Sequence, residues 1–276
     1  MPPTSIADLV RASSLLSICD IGASYLQAPE YDGLIQNGVA RLIGFEPNAA
    51  ECEKLRGLYP EPHRFYAEFV GKGGPATFYE TNWFPTGSLL KGNEEVLKRY
   101  TGLWATTMPV AEHAVTTVAL DQLMPEQLVD FIKIDVQGGE LDVFHGAEKL
   151  LGNVLAIHAE VNFVAFYEKQ PLFSDVDQYL RKQGFGLVKL LGPRACTLSP
   201  VILDNNPNLG HQLMWSDALY LRDPFALQNY SDDQLIKLAT LSQRGIFSVR
   251  QFLRRTPSAL PAPMDFQAGQ EAGVRP

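Results

Sequence analysis

Residues 131–151, FIKIDVQGGELDVFHGAEKLL, run from a short apolar segment through two glycines into a helical pattern. Alternation along an extended segment places Lys133 and Asp135 on one face and the two isoleucines on the other. The glycine pair at 138–139 allows a tight turn before the helix begins. The stretch therefore predicts a buried strand, a turn and a core-facing helix, the repeating unit of an α/β protein.

Similar apolar runs of strand length lie along the rest of the chain, at residues 15–21, 40–46, 63–70, 129–136 and 153–161. Segments of helical character alternate with them, at residues 30–37, 47–58, 138–151 and 174–183. Several of the runs are apolar on both faces, which is typical of parallel strands that helices cover on both sides. The pattern predicts a doubly wound α/β sheet, mostly parallel, with helices on both faces.

Two segments break this alternation. Residues 71–118 hold a Gly-rich turn, a stretch bearing Gly, Trp and Pro, and one extra strand; we interpret them as a long insertion. Residues 184–222 contain two strand patterns with no helix between them, and strands joined in this way must pair antiparallel. We therefore expect the sheet to end in an antiparallel hairpin.

The remaining segments complete the domain prediction. We expect a leading helix at 1–14, the main domain at 15–225, further helices at 226–255 and a tail at 256–276. The tail is rich in Pro, Ala and Gly, a composition that favours disorder.

Composition limits the partners and the location. The chain of 276 residues has a formal net charge of −8, which argues against a nucleic-acid partner because phosphate binding needs clustered basic residues. Its three cysteines lack a metal or disulfide spacing and suit a reducing compartment. No segment is long enough for a signal peptide or a membrane span. We expect a soluble cytoplasmic protein that binds no membrane.

Acidic residues mark the ends of the predicted strands. Open α/β sheets bind ligands at the carboxyl ends of their strands. The acids at those positions are Asp20, Glu46, Glu68, Asp135 and Glu160. Lys133 lies inside a buried strand, where an unpaired charge is costly, so we expect it to pair with a nearby acid. The candidates are Asp135, Glu140 and Glu160, although Glu140 also suits the first turn of a helix.

The first predicted strand ends in LSICDIGASYLQAPEY, residues 16–31, which has a single glycine, Gly22. A diphosphate-binding turn needs G-x-G-x-x-G, and here Ser24 and Gln27 occupy the later glycine positions. A sulfonium ligand instead carries a positive charge, which carboxylates such as Asp20 complement. The alternative for Asp20 is a turn residue that bonds its own backbone.

Glu46 ends the second strand, where an acid accepts hydrogen bonds from ribose hydroxyls. The alternative is an acid that caps the helix starting near Pro47. The candidate cofactor-binding residues are Asp20, Gly22, Ala23, Ser24, Glu46, Glu68 and Asp135.

These segments together resemble a known family. The core IKIDVQGGE, with DIGAS at 20–24, GFEP at 44–47 and HAEVNFVAFYEKQPLF at 158–173, is similar to the FkbM family of S-adenosylmethionine-dependent methyltransferases. The resemblance covers roughly residues 15–222. It implies a Rossmann-like class I methyltransferase fold with a terminal antiparallel hairpin, and methyl transfer to a hydroxyl of a sugar, polyketide or other metabolite. Gln137 stands where many members carry Glu.

A polar cluster at the fifth strand suggests a metal. Glu160 and Asn162 alternate onto one face with His158, and with Asp135 they offer oxygen ligands for Mg²⁺, as in metal-dependent O-methyltransferases. The alternative is a hydrogen-bonded cluster without metal. We interpret His158 as a satisfied core histidine.

Aromatic residues near the predicted site suggest an acceptor pocket. Trp83 and Ser88 in the insertion are candidates to close over cofactor or acceptor, with ordinary lid packing as the alternative. Phe163, Phe166 and Tyr167 are candidates to stack on a ring substrate.

We expect an S-adenosylmethionine-dependent methyltransferase acting on the oxygen of a small-molecule acceptor. The candidate catalytic residues are Asp135, Lys133 and Glu160. A nicotinamide-dependent oxidoreductase and a non-catalytic adenosyl-binding module are the alternatives. The sequence leaves open the acceptor and the oligomeric state.

Overall fold

The computed structural model describes residues 14–243, apart from 27, 126–127, 205, 207–208 and 224. The predicted leading helix at 1–14 lies almost wholly outside the described residues. So do the second part of the predicted helices at 226–255 and the whole tail at 256–276.

The described residues form ten β-strands. They are β1 (Leu16–Ile21), β2 (Ala40–Phe45), β3 (Arg64–Tyr66), β4 (Phe69–Val70), β5 (Gly74–Thr81), β6 (Pro109–Val118), β7 (Phe131–Ile134), β8 (Ala156–Asn162), β9 (Phe185–Cys196) and β10 (Gln212–Arg222). The α-helices of the same residues are α1 (Asp32–Gln36), α2 (Ala49–Leu58), α3 (Glu94–Arg99), α4 (Leu103–Thr107), α5 (Leu120–Leu123), α6 (Glu140–His145), α7 (Glu148–Leu151), α8 (Phe173–Lys182) and α9 (Asp232–Gln243).

Seven strands form the main sheet, in the order β3-β2-β1-β7-β8-β10-β9. The first five are mutually parallel, β10 is antiparallel to β8, and β9 is antiparallel to β10. The predicted α/β fold, mostly parallel with a terminal antiparallel hairpin, is confirmed. Within the described ranges, no helix has the length and apolar character needed to cross a membrane.

Two apolar layers cover the two faces of this sheet. On one face Ile21, Ile132 and Ile134 pack with residues of α5, α6, α7 and α8. On the other, Ile18 and Phe131 pack with residues of α1, α2 and α9. Successive residues of β7 therefore face opposite apolar layers, which explains why this strand is apolar on both sides.

Two predicted elements are divided in the structure. The predicted strand at 63–70 is β3 and β4, which belong to different sheets. The predicted helix at 138–151 is α6 and α7, separated at Gly146. A Cβ on Gly146 would lie 2.1 Å from the carbonyl oxygen of Gly71, so the break is where the main chain of the insertion meets the main domain.

The insertion at 71–118 has a sheet of its own. Strand β6 pairs parallel with β4 and antiparallel with β5, and α3 and α4 lie between β5 and β6 in the chain. The sequence predicted one strand here, and the structure adds β5. Asp121 N–H donates to the Gly146 carbonyl oxygen at 2.9 Å, which fixes the end of the insertion to the main domain.

Replacing Gly146 with alanine tests this contact. We expect Gly146→Ala to lower the free energy of unfolding by about 1–3 kcal/mol, because the new methyl group would overlap main-chain atoms. Gly57→Ala is the matched control: Gly57 is in α2 with no atom within 4 Å of its Cβ position, so alanine should stabilise by about 0.5–1 kcal/mol. Urea unfolding measures both. A Gly146→Ala protein as stable as the wild type would contradict the assigned contact.

Candidate active site

A cleft of about 580 Å³ opens at the carboxyl ends of the parallel strands, between the loop after β1 and the insertion. The predicted site residues that line this cleft are Asp20, Gly22, Ser24, Glu46, Glu68, Lys133 and Asp135. Residues from the insertion, among them Phe78, Phe84 and Ser88, form the opposite wall. The topology thus brings together acids that are far apart in the chain.

The turn after β1 explains why one glycine is enough. Gly22 has φ +80°, and a Cβ at this position would lie 2.0 Å from the carbonyl oxygen of Asp135. Any residue with a Cβ atom would therefore clash with Asp135 at position 22. The next residue, Ala23, is buried in the core on the α1 side, and its N–H donates to the carbonyl oxygen of Phe45 at 3.0 Å. The side chain of Ala23 does not line the cleft, although the sequence predicted a cofactor contact there.

Lys133 is paired with Asp20 at the floor of the cleft. The Lys133 Nζ atom lies 3.4 Å from Asp20 Oδ1, and Tyr31 donates its hydroxyl to Asp20 Oδ2. Burial acts to lower the pKa of Lys133, but the charges of Asp20 and Asp135 outweigh it and raise that pKa.

Of the predicted partners of Lys133, Asp135 contributes its charge, but Asp20 forms the ion pair, and neither Glu140 nor Glu160 does. Asp20 is directly opposite Lys133 in the parallel pair of β1 and β7. Adjacent strands lie about 4.8 Å apart, whereas residues i and i+2 of one strand are about 6.6 Å apart. The neighbouring strand therefore supplies the ion pair.

His158 is an ion-paired residue of the cleft and not only a core histidine. Its Nδ1 lies 3.1 Å from Glu30 Oε2, and its Nε2 lies 3.4 Å from Asp217 Oδ1. Burial acts to lower the pKa of His158, but the two carboxylates outweigh it and raise the pKa to about 9. The imidazole is therefore protonated at neutral pH. It joins the loop after β1 to strand β10. No local sequence pattern indicates this contact, because the partners are distant in the chain.

Glu46 has one carboxylate oxygen available at the cleft. Its Oε1 accepts from the N–H of Asn48 at 2.7 Å, and no described residue forms a hydrogen bond with Oε2. Asn48 itself caps α2, because its Oδ1 accepts from the N–H groups of Ala50 and Glu51. Burial is the main cause that raises the pKa of Glu46. The capping role considered for Glu46 thus belongs to Asn48.

The predicted Mg²⁺ site has no support among the described residues. Neither Glu160 nor Asn162 lines the cleft, and Asn162 is buried. Burial, followed by the charges of Asp135 and Glu140, raises the pKa of Glu160 well above its usual range. Among the described residues, no three His, Cys, Asp or Glu side chains are grouped to hold a metal ion.

Glu140 has a structural role in the loop after β7. Its Oε1 accepts from the N–H groups of Val136 at 3.0 Å and Gly138 at 3.2 Å. Burial is the main cause that raises its pKa to about 7.

Most of the predicted aromatic contacts are used in packing. Phe163 packs on Phe173 with ring centroids 5.3 Å apart, and Phe166 packs on Trp215 at 5.8 Å. Trp83 is 49% exposed and lies outside the cleft lining. Ser88 does line the cleft, and its hydroxyl donates to the carbonyl oxygen of Gln137 at 2.6 Å.

The cleft suits a ligand with hydrogen-bond donors and a positive charge. Ser24 Oγ is a buried polar atom with no hydrogen-bond partner among the described residues, whereas Asp20 Oδ1 has the ion pair with Lys133. Buried polar atoms are rarely left unpaired in native proteins, so the Ser24 hydroxyl points to a ligand group in the cleft. The carboxylates of Glu46, Glu68 and Asp135 face the same space.

Comparison with known proteins gives a family match. The model of the Methyltransferase FkbM domain matches residues 20–187. No curated protein matches the sequence significantly.

Solved methyltransferase structures are similar to this chain at low identity. Precorrin-6y C5,15-methyltransferase from Geobacter metallireducens GS-15 is 9% identical over 79% of this chain and 86% of that one, with a TM-score of 0.36. A TehB-like SAM-dependent methyltransferase from Corynebacterium glutamicum ATCC 13032 is 13% identical over the same shares, with a TM-score of 0.36. At these scores the similarity identifies no substrate.

The charge on His158 predicts a pH-dependent stability. A folded-state pKa of about 9, above the ordinary 6.5, means that folding strengthens proton binding. The resulting stabilisation, on the order of 2 kcal/mol, is complete below about pH 6.5 and is lost as the pH rises through about 9. Urea unfolding at about pH 6 and about pH 9.5 should show a larger loss in the wild type than in His158→Gln. Equal losses would mean that folding does not raise this pKa.

Proposed function

The chain belongs to the FkbM methyltransferase family, and from this premise we propose that it transfers the methyl group of S-adenosylmethionine to a hydroxyl of a small metabolite. The observation that carries the proposal is the single-glycine turn beside Glu46, which has an available carboxylate oxygen. The family resemblance extends the proposed acceptors to sugars, polyketides and other metabolites with a hydroxyl group.

We assign the donor to the end of the cleft between β1, β2 and β7. Glu46 would accept hydrogen bonds from ribose hydroxyls, and Glu68 lies at the same end. Ser24 supplies a buried hydroxyl that lacks a partner among the described residues, and Asp20 supplies a carboxylate at the floor of the cleft. Gly22 lets the main chain of Asp135 approach the turn after β1, so that both segments line the same cleft. When bound, S-adenosylmethionine supplies a methyl group on a positively charged sulfur.

Asp135 is the proposed catalytic residue. It lines the cleft at the end of β7, where its carboxylate can orient the acceptor hydroxyl and take its proton. Lys133 is paired with Asp20, so its proposed part is to maintain the floor of the site. Glu160 does not line the cleft, which favours Asp135 over it as the base. Holding donor and acceptor in line should supply most of the rate.

We also propose a cytoplasmic setting and a small-molecule partner. Cys19, Cys52 and Cys196 are all buried free thiols, as expected in a reducing compartment. The net charge of −8 favours a metabolite over a nucleic acid as acceptor.

Ligand binding tests the donor site. We expect S-adenosylhomocysteine to bind and raise the melting temperature of the wild type, and NAD to leave it unchanged. Glu46→Gln should weaken S-adenosylhomocysteine binding about tenfold, because a charged hydrogen-bond acceptor is lost. Glu53→Gln is the control, since this exposed acid of α2 pairs with Arg56 outside the cleft. Calorimetric titration measures the dissociation constants. Stabilisation by NAD instead would support the oxidoreductase alternative.

A labelling experiment tests the reaction. The wild type, incubated with methyl-labelled S-adenosylmethionine and a metabolite extract, should give a labelled methyl ether. Asp135→Ala should reduce the rate by about a hundredfold or more, as expected on loss of a general base. Mass spectrometry identifies the methylated atom. Label on nitrogen or carbon would contradict O-methylation, and donor binding without any transfer would favour the non-catalytic module.

A further inference from the structure

Gln137 occupies an unusual position in the loop after β7. It has φ +56°, a left-handed conformation that is uncommon for a residue other than glycine. Such strain persists only where the surroundings hold it, and it is concentrated at functional sites. Neither the donor site nor the proposed base requires a glutamine here, so the contacts of Gln137 need their own explanation.

The side chain of Gln137 bridges two groups. Its Nε2 donates to Asp135 Oδ1 at 2.7 Å, and its Oε1 accepts from the hydroxyl of Tyr167 at 2.9 Å. An amide can donate at one end and accept at the other, whereas an ionised carboxylate can only accept. A glutamate at this position could not form the bond to Asp135. It would also add a like charge close to Asp135, Glu140 and Glu160.

The main chain of Gln137 is held by the insertion. The Ser88 hydroxyl donates to its carbonyl oxygen at 2.6 Å, and Ser88 Oγ in turn accepts from the N–H of Leu90 at 2.9 Å. Tyr167 also reaches the insertion, because its hydroxyl lies 3.2 Å from the Thr86 carbonyl oxygen. The insertion and the loop after β8 therefore fix both the backbone and the amide of Gln137.

The next residue shows how tightly this region is packed. A Cβ on Gly138 would lie 2.9 Å from a ring carbon of Tyr167. Tyr167 is itself buried, so the phenol that holds the Gln137 amide has little freedom to move. The hydrogen bond from Gln137 thus presents a fixed direction to the Asp135 carboxylate.

We propose that Gln137 is a positioning residue, which holds the Asp135 carboxylate towards the part of the cleft that receives the cationic sulfur of the donor. The inference rests on the proposed function, because it needs S-adenosylmethionine in this cleft. It adds a role for a further residue of the cleft lining. Gln137 acts through Asp135 and does not itself touch the reacting atoms.

Two ligands separate this role from a general structural one. S-adenosylmethionine and S-adenosylhomocysteine differ by one methyl group and one positive charge. An oriented Asp135 carboxylate favours the charged ligand, so the wild type should bind S-adenosylmethionine more tightly relative to S-adenosylhomocysteine than a variant with a disoriented Asp135. We expect the ratio of the two dissociation constants to change about three- to tenfold on loss of this orientation.

The central variant is Gln137→Met, which keeps the length of the side chain and removes both hydrogen bonds. Gln170→Met is the matched control, because Gln170 is a buried glutamine that accepts from the Tyr167 N–H and makes no hydrogen bond to Asp135. Asp135→Asn reports the effect of removing the charge itself. Calorimetric titration of all four proteins with each ligand gives the ratios, and thermal unfolding monitors their stability.

We expect Gln137→Met to lose the preference for S-adenosylmethionine, as Asp135→Asn does. The affinity of Gln137→Met for S-adenosylhomocysteine should stay at the wild-type value. The ratio of the two dissociation constants in Gln170→Met should also match the wild type. Gln137→Met combined with Asp135→Asn should be no worse than Asp135→Asn alone, because both changes remove one interaction. If Gln137→Met does not fold, Gln137→Asn takes its place. Asparagine tolerates the left-handed backbone but is one methylene too short to span both partners.

Other outcomes overturn the inference. A wild-type ratio in Gln137→Met, or in Asp135→Asn, would show that the amide does not direct Asp135 towards the sulfur. An equal loss of both ligands in Gln137→Met would indicate only a structural role. If neither ligand binds the wild type, the proposed function itself fails, a result distinct from the first two.

Discussion

The site depends on the close approach of two main-chain segments at the ends of β1 and β7. The N–H of Asp135 donates to the Ile21 carbonyl oxygen at 3.0 Å, and the position of a Cβ on Gly22 is filled by the Asp135 carbonyl oxygen. This contact brings the turn after β1 and the loop after β7 together. The carboxylates of Asp20 and Asp135 then face one cleft. A side chain at residue 22 would force the two main-chain segments apart.

Strand register arranges the charges of that cleft. Asp20, Lys133 and His158 lie on adjacent positions of three parallel strands, and Asp217 on β10 continues the same face. Each positive group in this row has an acidic neighbour, which lowers the cost of burying it. Glu30, in the loop after β1, pairs with His158 and so connects this loop to the row of charged residues. Nearer the start of the same strands, this face of the sheet carries apolar residues instead.

The insertion contributes residues to the candidate active site. Its first residues, Gly71 and Lys72, pack against Gly146, and its central segment reaches the loop after β7 through Ser88. The proposed base therefore receives support from both the main sheet and the insertion. Side chains held in this way are already oriented before a ligand arrives, which reduces the cost of ordering them during binding.

Periodicity and chain order are local properties, and they were enough to predict the α/β class, the terminal hairpin and the acids at the strand ends. They did not determine which charges pair. The partner of Lys133, the charge of His158 and the bridge made by Gln137 depend on residues brought together by strand register and by the insertion. Such contacts join positions far apart in the chain, and only the tertiary structure fixes their distances.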